Sequence, residues 1–121
     1  MTRPLHILVV DDDPENAAAL AELFEADNHL VIIAYNGQQA IDAYAAQDFD
    51  LGFFDMMMPV KNGVESFMEI RLLRPDAKVY FLTGFSESKL IEAACRSGAM
   101  GVFGKPADPA KILDAIEREA A

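Results

Sequence analysis

Cysteine occurs once, at position 95, and basic residues number 10 against 20 acidic ones. A lone Cys95 cannot close an internal disulfide, so nothing points to an oxidising compartment. The formal net charge of -10 argues against a nucleic-acid surface, which needs clustered Lys and Arg to neutralise phosphates. A divalent cation or a basic patch on a partner suits this balance better. No apolar run approaches the roughly 20 residues needed to span a membrane. The start, Met1-Thr2-Arg3-Pro4-Leu5, runs straight into an apolar stretch and then into acids, without the small-residue cleavage site of a signal peptide. A Gly-rich loop ending in Gly-Lys-Ser/Thr is also missing, and acids after the first apolar run would repel a ligand phosphate, so nucleotide and flavin binding are disfavoured. The expectation is a cytoplasmic, globular protein that touches neither membrane nor nucleic acid.

What is present fits one domain. A length of 121 residues, 52% of them hydrophobic, fills a single core and leaves no room for a second domain. Residues 1–121 therefore read as one unit, structured over roughly 4–119. Short apolar runs alternate with amphipathic stretches. Leu5 to Val10, Leu30 to Ala34, Leu51 to Phe54, Val79 to Leu82 and Met100 to Phe103 read as strands. Between and after them, Leu20, Leu23 and Phe24, then Ala40, Ile41 and Tyr44, then Val64, Phe67 and Ile70 give helical stripes. Leu90, Ile91, Ala94 and Cys95, then Ile112, Leu113 and Ile116 give two more. Asp13-Pro14 and Asp108-Pro109 each read as a helix cap followed by proline in the first turn. Asn36-Gly37, Arg74-Pro75 and Gly98 punctuate the rest. Five strand-helix units predict a parallel sheet covered on both faces, with right-handed crossovers and the flavodoxin-like order 2-1-3-4-5. Ligands in such sheets bind beyond the carboxyl ends of the strands, where the winding direction reverses.

The residues after the strands are chemically loaded. Asp11, Asp12 and Asp13 follow the first, Asp55 the third, Thr83 and Gly84 the fourth, and Lys105 with Pro106 the fifth. In the expected order the first and third strands are neighbours, so Asp11, Asp12 and Asp55 converge. Carboxylates crowded into one crevice repel, and a hard cation with oxygen ligands resolves this; Mg²⁺ is the usual one where phosphate is handled. Lys105 adds a fixed positive charge, Thr83 a hydroxyl donor, and Gly84 space near the backbone. These are the parts needed for phosphoryl transfer onto an aspartate.

The chain resembles the receiver domain of bacterial two-component response regulators. The likeness rests on Ile7-Leu8-Val9-Val10-Asp11-Asp12-Asp13, on Phe54-Asp55-Met56-Met57-Met58-Pro59 with Gly63, on Thr83-Gly84 and on Lys105-Pro106. It implies that Asp55 accepts a phosphoryl group from a histidine of a sensor kinase or a histidine phosphotransfer protein. It implies Mg²⁺ or Mn²⁺ held by Asp12, by Asp11 directly or through water, by Asp55, and by the backbone carbonyl of Met57. Lys105 then pairs with Asp55 and later with the phosphoryl oxygens, and Thr83 hydrogen-bonds the phosphoryl group. A cis Lys105-Pro106 bond is expected. A homodimer through the fourth helix, fifth strand and fifth helix is a family option, and such a domain is a signalling unit that catalyses its own phosphorylation and dephosphorylation.

Two positions depart from the family. An aromatic residue usually stands three before the lysine; here it is Val102, with Phe103 one later and, by strand alternation, on the other face. The positions two past Asp55 and two past Thr83 are Met57 and Phe85, both apolar, which points to shielding of an aspartyl phosphate from water. Two rival readings remain at this stage. One is a haloacid-dehalogenase-like phosphatase with Asp11 as nucleophile, though the threonine such enzymes carry two residues past the second acid is here Glu15. The other is an interaction module that is never phosphorylated. Asp13 reads as a helix cap, His6 and His29 as residues without a role, and Cys95 as a small core residue. Met56 to Met58 read equally as core edge or as a soft partner surface.

Overall fold

The computed structural model describes residues 3–84 and 88–121. Five strands and five helices alternate: β1 (His6–Val10), α1 (Pro14–Ala26), β2 (Leu30–Ala34), α2 (Gly37–Ala46), β3 (Leu51–Asp55), α3 (Gly63–Leu73), β4 (Val79–Thr83), α4 (Ser88–Arg96), β5 (Gly101–Gly104) and α5 (Pro109–Ala120). All strand pairs are parallel and the order is β2-β1-β3-β4-β5. The flavodoxin-like (βα)5 expectation is borne out. The strands hold near-continuous apolar runs because both faces of a parallel sheet are covered.

Alternation along the strands divides the core in two. Leu8, Val10, Phe54, Val79 and Phe81 face α2, α3 and α4. Ile7, Val9, Leu51, Phe53 and Leu82 face α1 and α5. The helices start where the sequence says. Asp13 accepts the Glu15 N–H and Asp108 the Ala110 N–H, each ahead of a proline in the first turn. Asn62 and Glu65 form a reciprocal capping box at α3. Gly98 stops the chain after α4 with φ of 91°, a left-handed conformation that favours glycine.

Three expectations are corrected. The third and fourth strands run one residue further than Phe54 and Leu82, so Asp55 and Thr83 are the last residues of β3 and β4 rather than the first of loops. Cys95 is exposed, not in the core. Helix α4 packs over β5 at the edge of the sheet, so Ala94 is fully buried while its neighbour turns to solvent. His29 is buried and has a structural role: its Nδ1 accepts the N–H of Leu5 at 3.0 Å. With Leu30 N–H donating to Leu5 carbonyl at 2.9 Å, it pins the start of β1 to β2. Of the three methionines, Met56 and Met58 are buried and Met57 is exposed, so core edge and surface are both represented.

Candidate functional site at the carboxyl end of the sheet

The neighbouring strands β1 and β3 are wound in opposite directions from their junction, and their ends meet. Asp11 is held there by two groups. Its own N–H donates to Ala34 carbonyl at 3.1 Å, and one carboxylate oxygen accepts the Asp13 N–H at 2.9 Å. That turn, an Asp bonded two residues on, is a signal the sequence carries. The Asp55 backbone is fixed by pairing with Leu82 on β4, and the next N–H, of Met56, donates to Leu82 carbonyl at 2.9 Å.

The side chains converge as expected. Oxygen atoms of Asp11, Asp12 and Asp55 all lie within 4.8 Å of one another. Asp11 and Asp55 are buried while Asp12 is exposed. Lys105 Nζ stands 3.3 Å from Asp11 Oδ2 and 3.4 Å from Asp55 Oδ2. Its backbone N–H donates to Thr83 carbonyl at 2.7 Å, so the lysine is placed by the same strand end that carries the buried Thr83. Lys105-Pro106 is cis, as expected. A Cβ on Gly84 would come no nearer than 4.0 Å to Lys105, an ordinary contact. Phe85 lies outside the described residues, so only Met57 of the apolar pair is placed. It is exposed beside Asp55, and its N–H donates to Asp55 Oδ1 at 3.3 Å.

The electrostatics follow from the packing. Burial pushes the Asp55 carboxyl up to about 6, with Asp11 adding to the rise and Lys105 and the Met57 N–H opposing it. Partial burial works against the charge on Lys105, but attraction to Asp55 and Asp11 wins and raises it above the ordinary lysine value. Two carboxylates therefore share one ammonium. Three hard oxygen donors gathered around one point, with a surplus of negative charge, fit an Mg²⁺-like cation. Asp11 and Asp55 are engaged alike, each with one oxygen on a backbone N–H and the other beside Lys105.

Sequence reasoning missed one contact of the site, the approach of Gly63 to the Asp55 backbone. Gly63 stands in the motif that carries the family resemblance, but the contact itself forms only when the start of α3 meets the end of β3. Between α1 and α5 a cleft of about 550 Å³ adjoins the acids, lined by Leu20, Leu23, Leu82 and Ile112 and, at the site end, by Asp11 and Lys105. On β5, Val102 packs in the core facing α4 and Phe103 in the core facing α1 and α5, on opposite faces as alternation requires.

Comparison with known proteins agrees with this geometry. The family model for the response regulator receiver domain matches residues 7–117. The chain is 30% identical to chemotaxis protein CheY of Halobacterium salinarum over 110 residues, covering 91% of this chain and 92% of that protein. It is 30% identical to sporulation initiation phosphotransferase F of Bacillus subtilis over 112 residues, covering 93% and 90%. Among solved structures, a CheY-like receiver domain protein from Methanospirillum hungatei superposes with a TM-score of 0.92 at 25% identity, over 98% of this chain and 94% of that one. The CheX-CheY-BeF3-Mg²⁺ complex of Borrelia burgdorferi gives 0.86 at 25% identity, over 93% and 87%.

Proposed function

This chain belongs to the response regulator receiver domain family, and on that footing we propose that Asp55 is the carboxylate that takes the phosphoryl group. The protein works in phosphorelay signalling through phosphorylation of an aspartate. Receiver domains are signalling domains with autophosphatase activity, bind Mg²⁺ at their acidic pocket, and interact with histidine kinases or phosphotransfer proteins. The match over 7–117 supports reading 1–121 as one domain.

The finer assignment rests on one observation: Lys105 Nζ bridges Asp11 and Asp55 inside a trio of carboxylates. Asp12, Asp11, Asp55 and the Met57 carbonyl would hold Mg²⁺, or Mn²⁺ in its place. The cation supplies charge neutralisation at the phosphoryl oxygens. An Asp55 carboxylate oxygen forms the new bond to phosphorus as the bond to the donor histidine nitrogen breaks. Lys105 moves from the Asp55 carboxylate to the phosphoryl oxygens, and Thr83 donates its hydroxyl to them. The protein's part is positioning and electrostatics, and the same groups serve hydrolysis of the aspartyl phosphate, so the domain catalyses its own phosphorylation and dephosphorylation. The apolar cleft beside Asp11 and Lys105 is the surface we assign to the phosphodonor, because any donor must lie within reach of Asp55.

The face of α4, β5 and α5 is the reading for output and for a homodimer. Its charged residues include Lys89, Glu92, Lys111, Asp114 and Arg118; Glu92 pairs with Arg96 and Asp114 with Arg118 along their own helices. No helix of the described residues is long and apolar enough to cross a membrane, which is consistent with a cytoplasmic site of action. Incubation with Mg²⁺ and acetyl phosphate should add one phosphoryl group, read by intact mass. Asp55→Asn should abolish it; modification that persists in this variant overturns the assignment.

A further inference from the structure

Helix α3 begins against the acceptor itself. A Cβ on Gly63 would stand 2.4 Å from the Asp55 carbonyl oxygen, 3.2 Å from its carbonyl carbon and 3.2 Å from Met56 Cα. Real Cβ atoms essentially never approach closer than 3.0 Å, and the obstacle here is backbone, which has no rotamer to escape into. The Gly63 N–H also donates to Met56 carbonyl at 3.1 Å. The loop from Met56 to Asn62 therefore leaves and returns at one point beside Asp55.

Neither side of this contact has slack. On the strand side, Met56 N–H donates to Leu82 carbonyl at 2.9 Å. On the helix side, Asn62 N–H donates to Glu65 Oε1 at 3.0 Å and Glu65 N–H to Asn62 Oδ1 at 2.9 Å. Ser66, fully buried, donates its hydroxyl to Asn62 carbonyl at 2.8 Å. The Asp55-Met56 peptide lies between β4 and the capped start of α3.

We propose that Gly63 is a positioning residue for phosphoryl transfer. Its missing side chain sets where the Asp55 carboxylate and the Met57 carbonyl are presented to the cation. This rests on Asp55 being the acceptor. Any side chain at 63 must move α3 or the Asp55-Met56 peptide, and the capped helix start resists. Part of the displacement then falls on the acceptor segment. The Met57 N–H bond to Asp55 Oδ1, at 3.3 Å, is already long, and a shift of a few tenths of an ångström breaks it. Misplacement of reacting groups by about 1 Å can cost roughly a hundredfold in rate.

Gly98 offers a control. It follows α4 with φ of 91°, where any side chain is strained, and the nearest atoms to a Cβ there belong to the Arg71 guanidinium, 3.2 Å away. Wild type, Gly63→Ala and Gly98→Ala are compared for Mg²⁺ affinity by calorimetry, for limiting rate and KM with acetyl phosphate, and for denaturant midpoint. The expected result is a loss of about tenfold or more in both Mg²⁺ affinity and limiting rate for Gly63→Ala. Gly98→Ala should lose stability yet keep both within about twofold. A Gly63→Ala protein that loses only stability overturns the proposal. If Gly63→Ala does not fold, Asn62→Ala/Glu65→Ala decides, since it loosens the start of α3 without adding an atom near Asp55. Weakened Mg²⁺ affinity in that folded double variant supports the proposal, and wild-type affinity overturns it. Wild type that takes no phosphoryl group at Asp55 overturns the acceptor assignment as well, which separates the two failures.

Discussion

The ring of Phe103 packs against Tyr80 with centroids 5.3 Å apart, on the face of the sheet that looks toward α1 and α5. Tyr80 in turn stacks on Phe53 at 5.5 Å, and Phe53 meets Phe24 of α1 at 4.9 Å. An aromatic row thus crosses β3 to β5 on the face away from α4, while the α4 side of β5 carries only Val102. For Phe103 to take over an aromatic switch beside Thr83, it would have to leave this row and cross the sheet. Free and beryllofluoride-bound crystals should therefore show Phe103 in one rotamer and Val102 shifted little. Phe103 found in the space beside Thr83 in the bound form defeats this expectation.

Stability should carry the signature of Asp55. Its folded value is raised to about 6 from 3.8, so between these the folded state holds a proton that the unfolded state has released. The group therefore stabilises the fold as pH falls through that window and destabilises it as pH rises. Asp55→Asn should be more stable than wild type near neutral pH without Mg²⁺, by on the order of 2 kcal/mol. The gap should close toward pH 4 and shrink when Mg²⁺ is added. Urea titrations of both proteins across this range check it; a gap independent of pH rules out burial of Asp55 as its source.

Met57 is exposed next to the acceptor, and the expectation is that its apolar side chain shields an aspartyl phosphate from water. Met57→Asn should speed autodephosphorylation severalfold, followed as loss of phosphoprotein after the donor is removed. An unchanged or slower rate shows that shielding is not its role.

Val60 sits in the loop between Asp55 and α3 with φ of 69°, a conformation costly for a β-branched residue. Its side chain is fully exposed, so no packing offsets the strain. Val60→Gly should raise stability by about 1 kcal/mol, seen as a higher denaturant midpoint with unchanged slope. A lower midpoint means that Val60 makes a contact that compensates its backbone.

Much of this molecule is written locally. The strands are apolar runs of strand length, the helices carry periodic stripes with Asp-Pro starts, and the acids, threonine and lysine follow strands one, three, four and five. Period and punctuation act within a few residues, and a parallel sheet with short connections admits few orders, so the fold and the meeting of Asp11, Asp12 and Asp55 could be read from the chain. Other features depend on how distant segments cross. The place of Cys95 turned on how α4 lies against β5. His29 found its partner in Leu5, 24 residues away. Lys105 is shared between Asp11 and Asp55 because three strand ends meet at one height. The contact of Gly63 with the Asp55 carbonyl exists because a helix starts where a strand ends. Sequence determined which groups gather around Asp55. Tertiary structure alone decided how closely they are held, because ångström distances are set by packing against residues that no local pattern names.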